Sequence, residues 1–124
     1  MRMKIAFATE DGVLVNTHFG HATRFDVYEV RPDASALLES RIKNFDEAED
    51  KIKARIDGIS DCKIVFVSEI GGSAAARVTN ARIHPIKVPS EQSIASLVGQ
   101  LKDTLVHSPA PWLRRILMEE QKSM

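Results

Sequence analysis

Met3, Ile5 and Phe7 alternate with Lys4, Ala6 and Ala8, a period of two that predicts a strand with one face packed on a core. Asp11-Gly12 then supplies a tight-turn signal ahead of Val13-Leu14-Val15, so the chain is expected to run strand, turn, short strand. After a polar stretch at 16–23, Arg24-Phe25-Asp26-Val27-Tyr28-Glu29-Val30 is rich in β-branched and aromatic residues and stops at Arg31-Pro32-Asp33. That pattern predicts a third strand, and residues 37–42 return as a short edge strand.

The period then changes. Phe45, Ala48, Ile52, Ile56 and Ile59 are spaced three or four apart, with Asn44 placed to cap the start and Glu47 three positions later, which predicts one amphipathic helix. Lys63-Ile64-Val65-Phe66-Val67 is a short continuous apolar run, the mark of a parallel strand covered on both faces. Gly71-Gly72-Ser73 opens a small-residue helix through Ala74, Ala75, Ala76, Val78 and Ala81, with Ser73 as its cap. Ile86 and Val88 mark a further strand, and Pro85 puts it at an edge. Ser90 is placed to cap a helix carrying Ile94, Leu97, Val98, Leu101 and Leu105, which Pro109 ends. Hairpin-linked strands followed by strand–helix alternation predict an α/β fold: a single domain with a mixed sheet of about five strands and helices on both faces. The domain is expected over residues 1–108 and a tail helix over 109–124, with Trp112, Leu113, Ile116 and Leu117 on one face and Arg114 and Arg115 turned away.

Composition narrows the function classes. At 124 residues, 44% hydrophobic and 27% charged, the chain matches one ordinary globular domain. Seventeen basic side chains balance 17 acidic ones, so there is no broad positive field to hold nucleic acid or an anionic membrane. No apolar run approaches the roughly 20 residues of a membrane span, and MRMKIAFATEDG lacks the apolar region of a secretion signal. A cytoplasmic location is expected. A single cysteine, Cys62, excludes an intrachain disulfide and any four-cysteine zinc or iron–sulfur site within one chain.

The chemistry-bearing residues gather in Asn16-Thr17-His18-Phe19-Gly20-His21-Ala22-Thr23-Arg24-Phe25. Two imidazoles and a guanidinium stand there in a loop between strands, where side chains are free to meet a ligand. Cys62 is the alternative metal ligand, since thiolate is the softest donor available to iron; beside an apolar strand it equally fits a small buried core residue. If the strand at Val13 runs antiparallel to the first, the histidine loop lies at the sheet end where the strand after Cys62 begins, making the two neighbours. Gly71-Gly72-Ser73 offers backbone N–H groups to an anion or simply permits a strand-to-helix turn. It lacks the lysine of a phosphate-binding loop. His84 and His107 read as structural.

Residues 4–30, with their DG turn, HFG triplet and RFDVYEV strand, resemble the dinitrogenase iron–molybdenum cofactor-binding family, which comprises NifX, NafY and the C-terminal domain of NifB. The resemblance continues into Glu69-Ile70-Gly71-Gly72-Ser73-Ala74-Ala75-Ala76 and Ile83-His84-Pro85-Ile86-Lys87-Val88, and Pro111-Trp112-Leu113-Arg114-Arg115 is similar to the tail of the NifX branch. It implies a ribonuclease-H-like mixed sheet and a non-catalytic carrier of the iron–sulfur precursor (NifB cofactor) or of the iron–molybdenum cofactor, bound transiently. It further implies NifB as donor and NifEN as scaffold, and His18 of the HFG triplet, completed by Phe19 and Gly20, as the residue that binds the cluster. His21 and Arg24 join the candidate site on chemistry alone, as a second imidazole and as a donor to an anionic cluster.

A carrier fits the residues better than an enzyme. One cysteine and a few histidines do not fully ligate a cluster in a monomer, so the cluster has to arrive assembled, and few bonds allow release. A nuclease would want an inward carboxylate on the first strand, where the chain has Ala6 and Ala8. The stronger rival is a regulatory or adaptor domain that binds protein partners through the tail without a cofactor.

Overall fold

The computed structural model describes residues 2–107 together with Pro111, Arg114 and Arg115. Its elements in chain order are β1 (Met3–Ala8), β2 (Leu14–Val15), a 3-10 turn (Phe19–His21), β3 (Arg24–Val30), β4 (Ser35–Ile42), a second 3-10 turn (Phe45–Glu47) and α1 (Lys51–Gly58). There follow β5 (Ile64–Val67), α2 (Gly72–Asn80), β6 (His84–Lys87), β7 (Gln92–Ser93) and α3 (Ile94–His107). Five strands form one mixed sheet in the order β4-β3-β1-β5-β6. β1 runs antiparallel to β3 and parallel to β5, β3 is antiparallel to β4, and β5 is parallel to β6. The α/β class, the mixed five-stranded sheet and the edge positions of residues 37–42 and of the Pro85 strand are as the sequence predicts.

Alternation along β1 divides the core between the two faces of the sheet. Met3, Ile5 and Phe7 point one way, towards Ile94, Leu97, Val98, Leu101 and Leu105 of α3. Ala6 and Ala8 point the other way, into a second cluster with Phe25, Val27, Ile56, Val65, Val67 and Val78 beneath α1 and α2. The alanines of β1 leave room there for Phe19, Phe25 and Phe45, whose rings meet in sequence at 5.9 Å and 5.9 Å. No helix among the described residues is long and apolar enough to cross a membrane.

Several elements depart from the sequence reading. The Asp11-Gly12 turn forms, with Gly12 at φ +76° and the Asp11 carboxylate accepting from the N–H groups of Val13 and Leu14. The short strand after it does not return onto β1, because β3 and β5 already occupy both edges of that strand; β2 pairs with β7 instead. The single helix expected from Phe45 to Ile59 is broken in two. Asn44 caps only a 3-10 turn by accepting from the Asp46 N–H, and Asp50 starts α1 afresh by accepting from Lys53, an asparagine and an aspartate six residues apart competing to begin a helix. At the end of α1 the Phe45 ring lies 3.0 Å from where a Cβ on Gly58 would stand, so a side chain there would collide.

Helix starts also shift. Gly71, not Ser73, occupies the cap position of α2 and provides no side-chain bond. Ser93, not Ser90, receives the N–H of Ser96 at the start of α3. Pro111, Arg114 and Arg115 are helical and exposed. The apolar tail face assigned to Trp112, Leu113, Ile116 and Leu117 lies outside the described residues.

Candidate functional site

β1 ends at Ala8, and its last partner on β5 is Phe7 opposite Phe66. Beyond that point a different piece of chain takes the place beside β5. Ser68 donates its N–H to the Thr17 carbonyl (3.1 Å), Phe19 donates to the Glu69 carbonyl (2.9 Å), and His18 and Glu69 form a parallel bridge. The HFG segment is thus a hydrogen-bonded extension of the sheet at its carboxyl end, the end at which open α/β sheets hold ligands. The 3-10 turn that follows is closed by N–H bonds from His21 to the His18 carbonyl and from Ala22 to the Phe19 carbonyl.

This turn sorts its residues by role. Phe19 and Ala22 are fully buried in the cluster under α1, whereas His18 and His21 are exposed, their rings nearly parallel with centroids 5.5 Å apart. Of the candidate residues, the structure therefore brings His18 and His21 together in solvent. Phe19 was expected among the contacts and is instead the anchor, because a ring buried against Phe25 presents no surface to a cargo. Gly20 sits between them; a Cβ there would meet only Ile52, at an ordinary 3.9 Å.

Arg24 is at the same end of the sheet but is already engaged. Its Nε and Nη2 grip the buried Asp26 carboxylate at 2.9 Å and 3.2 Å, and Nη2 also reaches Ser40 Oγ at 3.4 Å. Gly12 lies over the guanidinium so closely that a Cβ would stand 2.6 Å from Nη2. Arg24 thus meets a paired carboxylate and a covering turn, with 27% of its side chain left exposed.

Cys62 is a correction. β5 runs parallel to β1, so the strand begins at the opposite end of the sheet from the HFG turn: the N–H of Lys63 meets the carbonyl of Lys4, whereas His18 bridges to Glu69. Six residues, running the length of β5, separate Cys62 from Glu69, on the order of 20 Å. The expectation that the two soft donors are neighbours fails because the HFG segment follows the carboxyl end of β1 rather than returning along it. The thiol itself is buried, and burial, with the negative Asp61 beside it, pushes its pKa up to about 12. A thiol kept protonated is a poor metal ligand at neutral pH.

Two features of this end escaped the sequence reading. Arg55 is wholly buried; its Nε donates to the Ala22 carbonyl at the close of the HFG turn, its Nη1 to the Lys51 carbonyl and its Nη2 to Asp46, all at 3.1 Å, with the guanidinium 5.4 Å from the centre of the Phe45 ring. The signal was present: Arg55 stands three residues after Ile52 and four before Ile59, on the apolar stripe rather than the solvent face. The other is an ion pair between Lys87 Nζ and Glu69 Oε1 at 3.0 Å. The hydrogen-bonded Lys87 ammonium, first, and then the backbone N–H of Ile70 hold the Glu69 carboxyl below its usual pKa. No local pattern joins residues 69 and 87; the parallel register of β5 and β6 does. Among the described residues, no three His, Cys, Asp or Glu side chains converge as a site for a single metal ion.

The geometry defines a small α/β domain with one mixed sheet, which carries two solvent-facing imidazoles on a stapled turn at the carboxyl end of β5. The profile of the dinitrogenase iron-molybdenum cofactor family matches residues 1–104, and the chain belongs to that family. It is 38% identical over 125 residues to the protein NifX of Herbaspirillum seropedicae, an alignment spanning 97% of this chain and 85% of that one. The protein NifY of Azotobacter vinelandii is 31% identical over 119 residues, covering 95% of this chain and 49% of NifY. The crystal structure of PH0822 superposes with a TM-score of 0.67 at 20% identity over 89% of this chain and 97% of that one, a likeness of fold.

Proposed function

We propose that the chain is a non-catalytic carrier in the biosynthesis of the nitrogenase iron–molybdenum cofactor. Its cargo is the preformed iron–sulfur precursor or the iron–molybdenum cofactor, held transiently at His18 with His21 alongside. The observation that carries this reading is the exposed, parallel imidazole pair on a turn hydrogen-bonded into the sheet. Neutral imidazole is a good iron ligand, and two such donors suit an assembled cluster that must also leave. Membership of the cofactor family and the NifX and NifY relatives support the same role. NifB is the expected donor and the NifEN scaffold the expected recipient, in the cytoplasm. The strand order β4-β3-β1-β5-β6, three antiparallel strands followed by two parallel to the first, supports a ribonuclease-H-like description of the fold.

The test is anaerobic titration of isolated precursor into wild type, His18→Ala and His21→Ala, followed by visible absorption. Loss of His18 is expected to weaken binding about tenfold, the scale of a perturbed metal site, and loss of His21 to weaken it less. Equal affinity in wild type and His18→Ala overturns the site. An adaptor without cargo draws support from Leu37, Leu38 and Ile42, all exposed on the edge strand β4; wild type that binds no precursor favours that reading.

A further inference from the structure

We propose that Lys87 and Glu69 form a charge balance that sets how tightly the site holds an anionic cargo: Lys87 attracts it, and Glu69 opposes it and eases its departure. This rests on the reading of the His18 turn as the cargo site. The observation is a row of three side chains borne by three adjacent pieces of chain. His18 bridges to Glu69, and Lys87, at the end of β6, lies opposite Val67 of β5 and closes its ammonium on the Glu69 carboxylate at 3.0 Å. The positions that bear imidazole, carboxylate and ammonium are therefore neighbours across the carboxyl end of the sheet, the last two in direct contact.

The pair is ill suited to a purely structural role. Lys87 and Glu69 remain 52% and 45% exposed, and ion pairs in that setting add little to stability. Their charges instead act on whatever sits beside them. Iron–sulfur clusters with anionic ligands carry net negative charge, so one brought to His18 attracts Lys87 and repels Glu69 across a partly solvated gap. Three other cations towards this end are differently placed. Arg24 is paired with Asp26, Arg55 is buried, and Lys43 belongs to the segment that follows β4, where its N–H meets the Thr23 carbonyl. Lys87 is the cation bound to the residue that bridges to His18.

The probe is a water-soluble [4Fe–4S] cluster bearing four 2-mercaptoethanolate ligands, a dianion, titrated anaerobically into the full chain and followed by visible absorption. Lys87→Met is expected to weaken binding about fivefold, and Lys87→Arg to restore it to within about twofold, since either cation supplies the charge. Glu69→Gln is expected to tighten binding about threefold, a gain that a carboxylate acting as ligand or scaffold would not give. Raising salt from about 0.05 M to about 0.5 M should erase most of the differences, because exposed charges are screened. Thermal melts of the three variants should match wild type. If His18→Ala loses the cluster while Lys87→Met and Glu69→Gln bind like wild type, or if Glu69→Gln binds more weakly, the charge proposal is wrong and the site stands. If wild type does not bind, or His18→Ala binds as well as wild type, the site reading falls and this proposal falls with it.

Discussion

At the carboxyl end of β5, His18 and His21 stand in solvent beside Glu69 and Lys87; at its amino end, Cys62 is buried beside Asp61, which Arg41 grips at 2.6 Å and 2.8 Å and Lys4 reaches at 3.3 Å. Each end pairs a metal-seeking donor with a set of charges. The difference lies in what the backbone does with them. Phe19 and Arg55 pull the HFG turn down by its neighbours and leave the imidazoles outside, whereas the Arg41–Asp61 pair closes over the start of β5 and also reaches the Gly58 carbonyl. The thiol, the better iron ligand in isolation, is thereby the less available one. Donor softness ranks ligands only among groups that a cargo can touch.

The largest expected effect breaks the presenting end. Phe19→Ala removes a fully buried ring and should cost about 3–5 kcal/mol, measured by urea unfolding. With the anchor gone, the His18 and His21 ring resonances should lose their distinct chemical shifts. A loss below about 1 kcal/mol would show that the turn is not held by this ring.

A smaller effect sharpens the other end. The unfolded thiol ionises near its ordinary 9.0, whereas the buried one is raised to about 12, so between these values the unfolded chain releases a proton that the native chain keeps. The thiol's contribution is therefore fully present below about pH 9 and is lost as pH rises towards 12, with a slope of at most about 1.4 kcal/mol per pH unit. Burial raises Tyr28 in the same direction. Cys62→Ala should lower stability at pH 7 by about 1 kcal/mol and flatten the alkaline decline to the part owed to other groups raised on folding, Tyr28 and Lys53 among them. An unchanged slope would mean that the thiol is not sheltered in the native protein.

The smallest effect is the one with functional weight. His18→Ala and His21→Ala, both at exposed positions, should each change stability by no more than about 0.5 kcal/mol, so that any loss of cargo affinity reports on contact rather than on folding. A drop of 2 kcal/mol would move the imidazoles from the presenting class to the structural one.

Much of this contrast is legible in the sequence. The alternation in β1, the apolar run of β5 and the HFG loop each appear locally, and local signals located every main strand. What failed, beyond the exact caps of α2 and α3, were statements about which pieces meet. Asp11-Gly12 announces a turn but not that β2 will pair with β7 about 80 residues on. Asn44 and Asp50 each announce a helix start, and only the packing of Phe45 against Gly58 and Arg55 decides that both operate. Cys62 and His18 were placed together on an assumed hairpin, and the parallel register of β5 with β1 separates them. The site residues that went unnoticed, Arg55 and the Glu69–Lys87 pair, are those whose roles depend on such meetings.

The stapling of Thr17 and Phe19 to Ser68 and Glu69 has a consequence for timing. A loop that must first be ordered slows capture of a ligand and lowers its affinity by the cost of that ordering. Here the main chain on either side of His18 is already committed to β5, and the far end of the turn to Arg55. At the proposed His18 site, loading and unloading would then require only side-chain motion, on the nanosecond scale of exposed rotamers rather than the microseconds of loop rearrangement. The amides of Phe19 and Ser68 should accordingly exchange with deuterium at the same slow rate whether or not cargo is present.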